Sequence, residues 1–221
     1  SEGEDFSSKV NTLEIRNVNF SYNDKSTKII NNLNLKFEKN IVYGIKGETG
    51  SGKSTFIDLI SGLLKPNNGS FLVNGKKINF NKNWFKKISY VTQNISLLND
   101  TLEKNIALAV KEKNLDHNRL KEVVEAAELS NFNKNLLATD DNNIGELGVK
   151  VSGGERQRIG IARALYFDRD IYIFDEATNA LDENTEIKVL QNIKIYLKNK
   201  IIIFVSHKNT TLDQCDKIIS I

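Results

Sequence analysis

Gly47-Glu48-Thr49-Gly50-Ser51-Gly52-Lys53-Ser54-Thr55 decides the fold of this 221-residue chain. It lies between the apolar run Ile41-Val42-Tyr43-Gly44-Ile45 and the helix-like Phe56-Ile57-Asp58-Leu59-Ile60. It therefore fits the P-loop pattern G-x-x-x-x-G-K-[ST] in the strand, loop, helix order that the pattern requires. Glycines at 47, 50 and 52 remove the Cβ atoms that would hold backbone N–H groups away from phosphate oxygens, and the following helix turns its positive end to the same place. Glu48, Thr49 and Ser51 complete a loop built for a triphosphate. Lys53 would reach the β and γ phosphates, the Ser54 hydroxyl would ligate Mg²⁺, and Thr55 would steady the loop by hydrogen bonding. The bare pattern arises by chance in roughly one chain in a hundred of this length, so the rest of the sequence has to decide.

Composition narrows the setting. With 39% hydrophobic residues the chain can bury a sizeable core, as one large domain or a domain with a small subdomain. Lys and Arg number 31 against 28 Asp and Glu, a net charge of +3 with the signs mixed along the sequence. No strong field argues for nucleic acid. Cys215 is the sole cysteine, which excludes an intrachain disulfide and suits a reducing compartment. The longest apolar runs, such as Ile201-Ile202-Ile203-Phe204-Val205, fall far short of the roughly 20 residues that cross a bilayer. The isolated chain is expected to be soluble. Its polar opening reads as a linker over residues 1–11, with the folded domain over 12–221.

Leu13-Glu14-Ile15-Arg16-Asn17-Val18-Asn19-Phe20 alternates as a half-buried strand does, and Leu33-Asn34-Leu35-Lys36-Phe37 repeats the pattern. After the P-loop helix, the stretch Gly62 to Gly69 holds the only proline, Pro66, and breaks the helix; Ser70 to Lys76 reads as a strand and turn. A β-rich start thus surrounds one phosphate-binding βα unit. The middle changes character. Asp116 is placed to cap a helix whose Leu120, Val123, Val124 and Ala127 follow helical spacing. Asn99 to Asp141 reads as mostly helical, within an inserted helical subdomain over about 97–165. The implied fold class is α/β: a P-loop core of mostly parallel sheet flanked by helices, an N-terminal antiparallel β subdomain and this helical insertion.

Two continuous apolar runs follow, Ile171-Tyr172-Ile173-Phe174 ending in Asp175-Glu176, and Ile201 to Val205 ending in Ser206-His207. Such runs suit central parallel strands buried on both faces. Ligands of open α/β sheets sit beyond the carboxyl ends of strands, which brings Asp175, Glu176 and His207 beside the P-loop. Asp175 is placed to hold Mg²⁺, Glu176 to polarise a water for in-line attack, and His207 to hydrogen bond a γ-phosphate oxygen. The other histidine, His117, reads as a solvated helix residue. Val151-Ser152-Gly153-Gly154-Glu155-Arg156-Gln157-Arg158 then precedes the helix-like Ile159 to Leu165. Ser152 can cap that helix, and the two glycines open its end to an anion. One chain has no evident use for two helix ends aimed at one γ-phosphate; a head-to-tail pair of chains does.

With these residues assembled, the chain closely resembles the ATP-binding cassette family over nearly its whole length. Ser152-Gly153-Gly154-Glu155 is similar to the family signature that binds ATP in trans. Tyr22 matches the aromatic that stacks on adenine, Gln93 the residue that offers an amide oxygen to Mg²⁺ or water, Ala180-Leu181-Asp182 the D-loop, and His207 the switch histidine. Asn143 to Gly148, and the stretch Gln93 to Ile106, resemble segments of the exporter branch. The resemblance implies an ATPase with ATP and Mg²⁺ as ligands, acting as a homodimer with two composite sites. It further implies a transmembrane domain on the same full-length chain, a place at the cytoplasmic face of the membrane (the inner membrane in a bacterium), and transport of a substrate.

The sequence departs from the family pattern where Val151 and Glu155 replace the usual Leu and Gln, and where it stops at Ile221. Glu155 sets a carboxylate near a triphosphate, with Arg156 and Arg158 as candidate partners. The alternatives are a stand-alone or importer-type cassette subunit, a non-transport cassette, and a P-loop kinase, which would have no need of Ser152-Gly153-Gly154.

Overall fold

The computed structural model describes residues 8–22, 29–48, 50–80, 82–137, 143–144 and 151–221. The chain opens with strands β1 (Thr12–Phe20), β2 (Ile30–Glu38) and β3 (Val42–Lys46), then helix α1 (Lys53–Ser61). Strands β4 (Asn68–Val73) and β5 (Lys76–Lys77) follow, with α2 (Lys82–Phe85) and β6 (Ile88–Val91) after them. Helices α3 (Leu102–Ile106), α4 (His117–Ala126), α5 (Ser130–Leu137) and α6 (Gly153–Tyr166) fill the stretch before β7 (Ile171–Asp175). The last elements are α7 (Glu183–Tyr196), β8 (Ile201–Val205), α8 (Asn209–Leu212) and β9 (Lys217–Ser220).

The strands form two sheets, one antiparallel in the order β2-β1-β4-β5 and one parallel in the order β6-β7-β8-β3-β9. In the first, the expected alternation of β1 holds only in two halves. Leu13 and Ile15 are buried, then Val18 and Phe20, so the pattern slips by one residue between them. The slip is a bulge: Asn17 takes φ 50°, and the pairing with β2 shifts between Ile15 and Val18. The chain tolerates it because asparagine adopts the left-handed region more readily than most residues and because neighbouring amides satisfy the displaced backbone. Asn17 N–H donates to Asn34 Oδ1 at 2.9 Å, and Asn32 N–H to Asn19 Oδ1 at 3.0 Å.

The inner strands of the parallel sheet, β7, β8 and β3, are buried on both faces, as their continuous apolar runs require. Tyr43, Ile45, Ile171, Ile173, Ile201 and Ile203 pack toward α1 and the antiparallel sheet. Tyr172, Phe174, Ile202 and Phe204 pack on the other side, in one cluster with α4, α6 and α7. Phe174 and Phe204 stack there with centroids 5.1 Å apart. Asp116 caps α4 by accepting from Arg119 N–H at 3.0 Å, and the helix buries Leu120, Val123 and Val124. All five strands of the larger sheet point their carboxyl ends the same way, and that rim carries the site.

Candidate active site

The cradle begins where β3 ends. Gly52 precedes α1 with φ 102°, a backbone that favours glycine, and Lys53 is the first residue of the helix. The Lys53 ammonium folds back into the loop, donating to Gly47 O and Glu48 O at 2.7 Å each. A Cβ on Gly47 would lie 2.5 Å from Ser51 Oγ and 2.5 Å from Ile221 O, so the loop closes this tightly only with glycine there. Ser51 Oγ is buried with no hydrogen-bond partner among the described residues. An ammonium held by carbonyls and an orphaned hydroxyl suit an incoming group rich in acceptor oxygens. Thr49 lies outside the described residues. Behind the loop, Thr55 Oγ1 is 3.2 Å from the Tyr22 hydroxyl; the Tyr22 ring is 58% exposed and packs edge-on against Phe20.

Opposite the cradle stand the carboxylates. Strand β8 separates β7 from β3, with Val205 facing both Asp175 and Ile45. Asp175 Oδ2 accepts from the Tyr90 hydroxyl of β6 at 2.9 Å. Burial pushes the Asp175 carboxyl above its ordinary range; the Tyr90 hydrogen bond opposes this, the Glu176 charge adds to it, and the Lys53 charge opposes it. Burial, then the adjoining Asp175 charge, likewise pushes Tyr90 well up, so it stays a donor. Glu176 takes φ 50°, a left-handed backbone costing on the order of 1–2 kcal/mol outside glycine. Its N–H donates to Val205 O at 2.9 Å, while its carboxylate accepts from Asn179 Nδ2 at 2.9 Å and meets His207 Nδ1 at 3.3 Å.

Two adjoining cavities share Lys53 and Glu176. The larger, about 840 Å³, adds Gly47, Glu48, Ser51 and His207 to its walls, with the chain's last residues. The smaller, about 510 Å³, is walled further by Gly50, Gly52, Ser54, Thr55, Gln93 and Asp175. The P-loop, both strand-end acids, His207 and Gln93 thus come together. Ser54 hydroxyl, Gln93 amide and Asp175 carboxylate form an all-oxygen donor set on one wall, the chemistry that suits a hard divalent cation such as Mg²⁺.

Ser152, Gly153, Gly154, Glu155 and Asp182 are not on the walls of either cavity. Ser152 caps α6 in a full capping box: Glu155 N–H donates to Ser152 Oγ at 3.2 Å, and Glu155 Oε2 accepts from Ser152 N–H at 2.8 Å and Ser152 Oγ–H at 2.7 Å. The helix end expected to lie open thus holds its own carboxylate. Of the two arginines offered as partners for it, Arg156 donates to Ile95 O at 3.4 Å and Arg158 to Glu128 O. Asp182 caps α7, accepting from Thr185 N–H at 3.0 Å, and its hydrogen bonds with Thr185 hold its carboxyl below the usual range. Of the exporter-like segment Asn143 to Gly148, residues 145–148 lie outside the described residues.

Three residues that the sequence reading passed over belong to the surroundings of the site: Tyr90, Gln157 and Glu186. Gln157 is buried inside α6, donates from Nε2 to Glu176 O at 3.3 Å and accepts at Oε1 from Ala180 N–H at 2.7 Å. It joins the helix behind Ser152 to the loop behind Glu176. Nothing in its local sequence sets it apart from an ordinary polar helix residue.

A parallel sheet with a glycine loop, a lysine and two acids at its carboxyl rim defines a P-loop nucleotide-binding domain. The ABC transporter family matches residues 30–179, and the chain belongs to that family. It is 38% identical over 213 residues to an export ATP-binding/permease protein of Rickettsia prowazekii, covering 95% of this chain and 37% of that protein. It is 37% identical over 212 residues to the alpha-hemolysin translocation ATP-binding protein HlyB of Escherichia coli O157:H7, covering 94% of this chain and 29% of that protein. A solved bacterial Atm1-family ABC exporter with ATP bound superimposes with a TM-score of 0.84 at 28% identity, over 96% of this chain and 37% of that one. The chain therefore spans between 29% and 37% of the length of these relatives. Among the described residues no helix is long and apolar enough to cross a membrane.

Proposed function

We propose that this chain is the ATP-binding and ATP-hydrolysing cassette of an exporter, working at the cytoplasmic face of a membrane with a permease segment on the same full-length protein. The observation that carries this reading is the convergence of Lys53, Asp175, Glu176 and His207 on two cavities sharing Lys53 and Glu176. Lys53 would exchange the carbonyls of Gly47 and Glu48 for phosphate oxygens, with Gly47 to Thr55 cradling the triphosphate and Tyr22 stacking on the adenine. Ser54, Gln93 and Asp175 would hold Mg²⁺, which supplies charge neutralisation for the phosphates when bound. Glu176 would take the proton of an attacking water, and His207, beside it, would donate to the γ-phosphate side.

Ser152, Gly153, Gly154, Glu155 and Asp182 serve a second copy of the chain in this reading. That none of them lines the cavities of their own copy supports a trans role for a helix end whose first turn holds Glu155 as its anion. The relatives' names, permease and translocation, support export as the work driven by closure of the pair. Replacing Glu176 with Gln should block hydrolysis and trap the closed state. Light scattering of Glu176→Gln with Mg·ATP is expected to give a mass near twice 25.0 kDa, and Ser152→Ala in that background should return it to the monomer. A protein that binds ATP yet stays monomeric at high concentration would sink the trans role.

A further inference from the structure

Outside the cavities, Glu186 in the first turn of α7 is a heavily bonded titratable side chain, 1% exposed. Its carboxylate accepts from Thr178 Oγ1–H and Thr211 Oγ1–H at 2.7 Å each, from Thr210 Oγ1–H at 3.0 Å and from Lys208 Nζ at 3.1 Å. Lys208 Nζ also donates to Thr178 O at 3.2 Å. Thr178 lies two residues after Glu176, and Lys208 directly follows His207. One buried carboxylate therefore joins the loop after β7, which carries Glu176, to the loop after β8, which carries His207.

Burying a carboxylate is costly unless it is paired and bonded, and here four donors including one cation meet it. Burial works to raise its pKa, yet the Thr178, Thr211, Lys208 and Thr210 hydrogen bonds together hold the carboxyl below its ordinary value. The anion is the form the fold keeps. His207, by contrast, has a side chain 64% exposed and meets Glu176 at 3.3 Å. Little packing fixes that imidazole; the backbone behind it is fixed instead, at Lys208.

We propose that Glu186 is a positioning residue, setting the approach of His207 to Glu176 by tying together the two loops that bear them. It lines neither cavity and acts through its neighbours. The inference rests on the hydrolytic reading above, in which those two residues work as a pair.

The test compares wild-type protein, Glu186→Gln and Thr211→Val, each alone and combined with His207→Ala. In Glu186→Gln, kcat is expected to fall on the order of 10- to 100-fold, the scale of a small misplacement, with KM for ATP changed less than about threefold. On the His207→Ala background the same change should cost less than about twofold, because the group it positions is gone. The chain has two histidines, so ¹³C-histidine labelling reads geometry without turnover: the His207 ring signal should move in both variants while that of His117 stays. Thr211→Val removes one donor and leaves the anion, so it keeps the test open if Glu186→Gln does not fold. An unmoved His207 signal in a folded variant, or an equal loss of kcat with and without His207, overturns the proposal. Wild-type protein that binds but never hydrolyses ATP would instead sink the hydrolytic reading, with the histidine signals still deciding whether Glu186 holds the loop.

Discussion

Glu155 folds back on the residue that opens its own helix, and its charge sits where the proposed partner's nucleotide would arrive. Negative charge at a helix N-terminus stabilises the helix by about 0.3–1 kcal/mol, and the capping box uses that charge fully. The same charge opposes a triphosphate. Glu155→Gln is therefore expected to lower stability in a denaturant titration by about 0.3–1 kcal/mol, while lowering about two- to fivefold the ATP concentration that half-pairs Glu176→Gln protein. Unchanged or weaker pairing would mean that the carboxylate serves capping alone. Asp175, Glu176 and His207 were legible at this scale because each closes an apolar run. Tyr90, Gln157 and Glu186 were not, because their meaning lies in partners distant in sequence: Asp175, Ala180 and Thr211.

At the scale of elements, α6 is bound to the segment that follows Gln93. Arg163 donates to Asn105 O at 2.8 Å and to Ser96 O at 3.0 Å. Asn105, fully buried, accepts from Leu98 N–H and donates to Leu98 O and Thr101 O. Gly160 lets Ile95 lie directly on the helix: a Cβ there would come within 2.6 Å of Ile95 Cδ1 and 2.7 Å of Cγ1. Alanine normally stabilises a helix interior by about 0.5–1 kcal/mol over glycine. Here Gly160→Ala is expected to destabilise by about 1–3 kcal/mol, as overpacking does, and Ile95→Ala in the same chain should recover part of the loss by calorimetry. A gain in stability from Gly160→Ala alone would show that Ile95 yields freely. Strands β7 and β8 were legible from their continuous apolar residues. The bulge in β1 was not, since Asn19 and Asn34 read as plain polar strand positions until their side-chain amides are seen bonding the backbone of Asn17 and Asn32.

For the molecule as a whole, binding should appear as stability. A ligand that binds only the folded chain adds about 2.7 kcal/mol at a hundred times its Kd, and a kcal/mol shifts Tm by about 2–4 °C in chains of this size. Mg·ATP is thus expected to raise Tm by roughly 5–10 °C, and Lys53→Ala to abolish the rise. Chelating the cation should remove much of it if Ser54, Gln93 and Asp175 hold Mg²⁺; an undiminished rise would show that phosphate contacts alone carry binding. The strand order, β6-β7-β8-β3-β9, was the part no local pattern conveyed. One internal strand of it, Val42–Lys46, has as its two partners Ile201–Val205 and Lys217–Ser220, both far along the chain. A growing chain must therefore carry the phosphate loop's own strand unpaired until Ile201–Val205 has been made, as an apolar segment open to chaperones and to aggregation. The most vulnerable interval of folding is expected to be the wait for strand Ile201–Val205, before which Val42–Lys46 has no neighbour in its sheet.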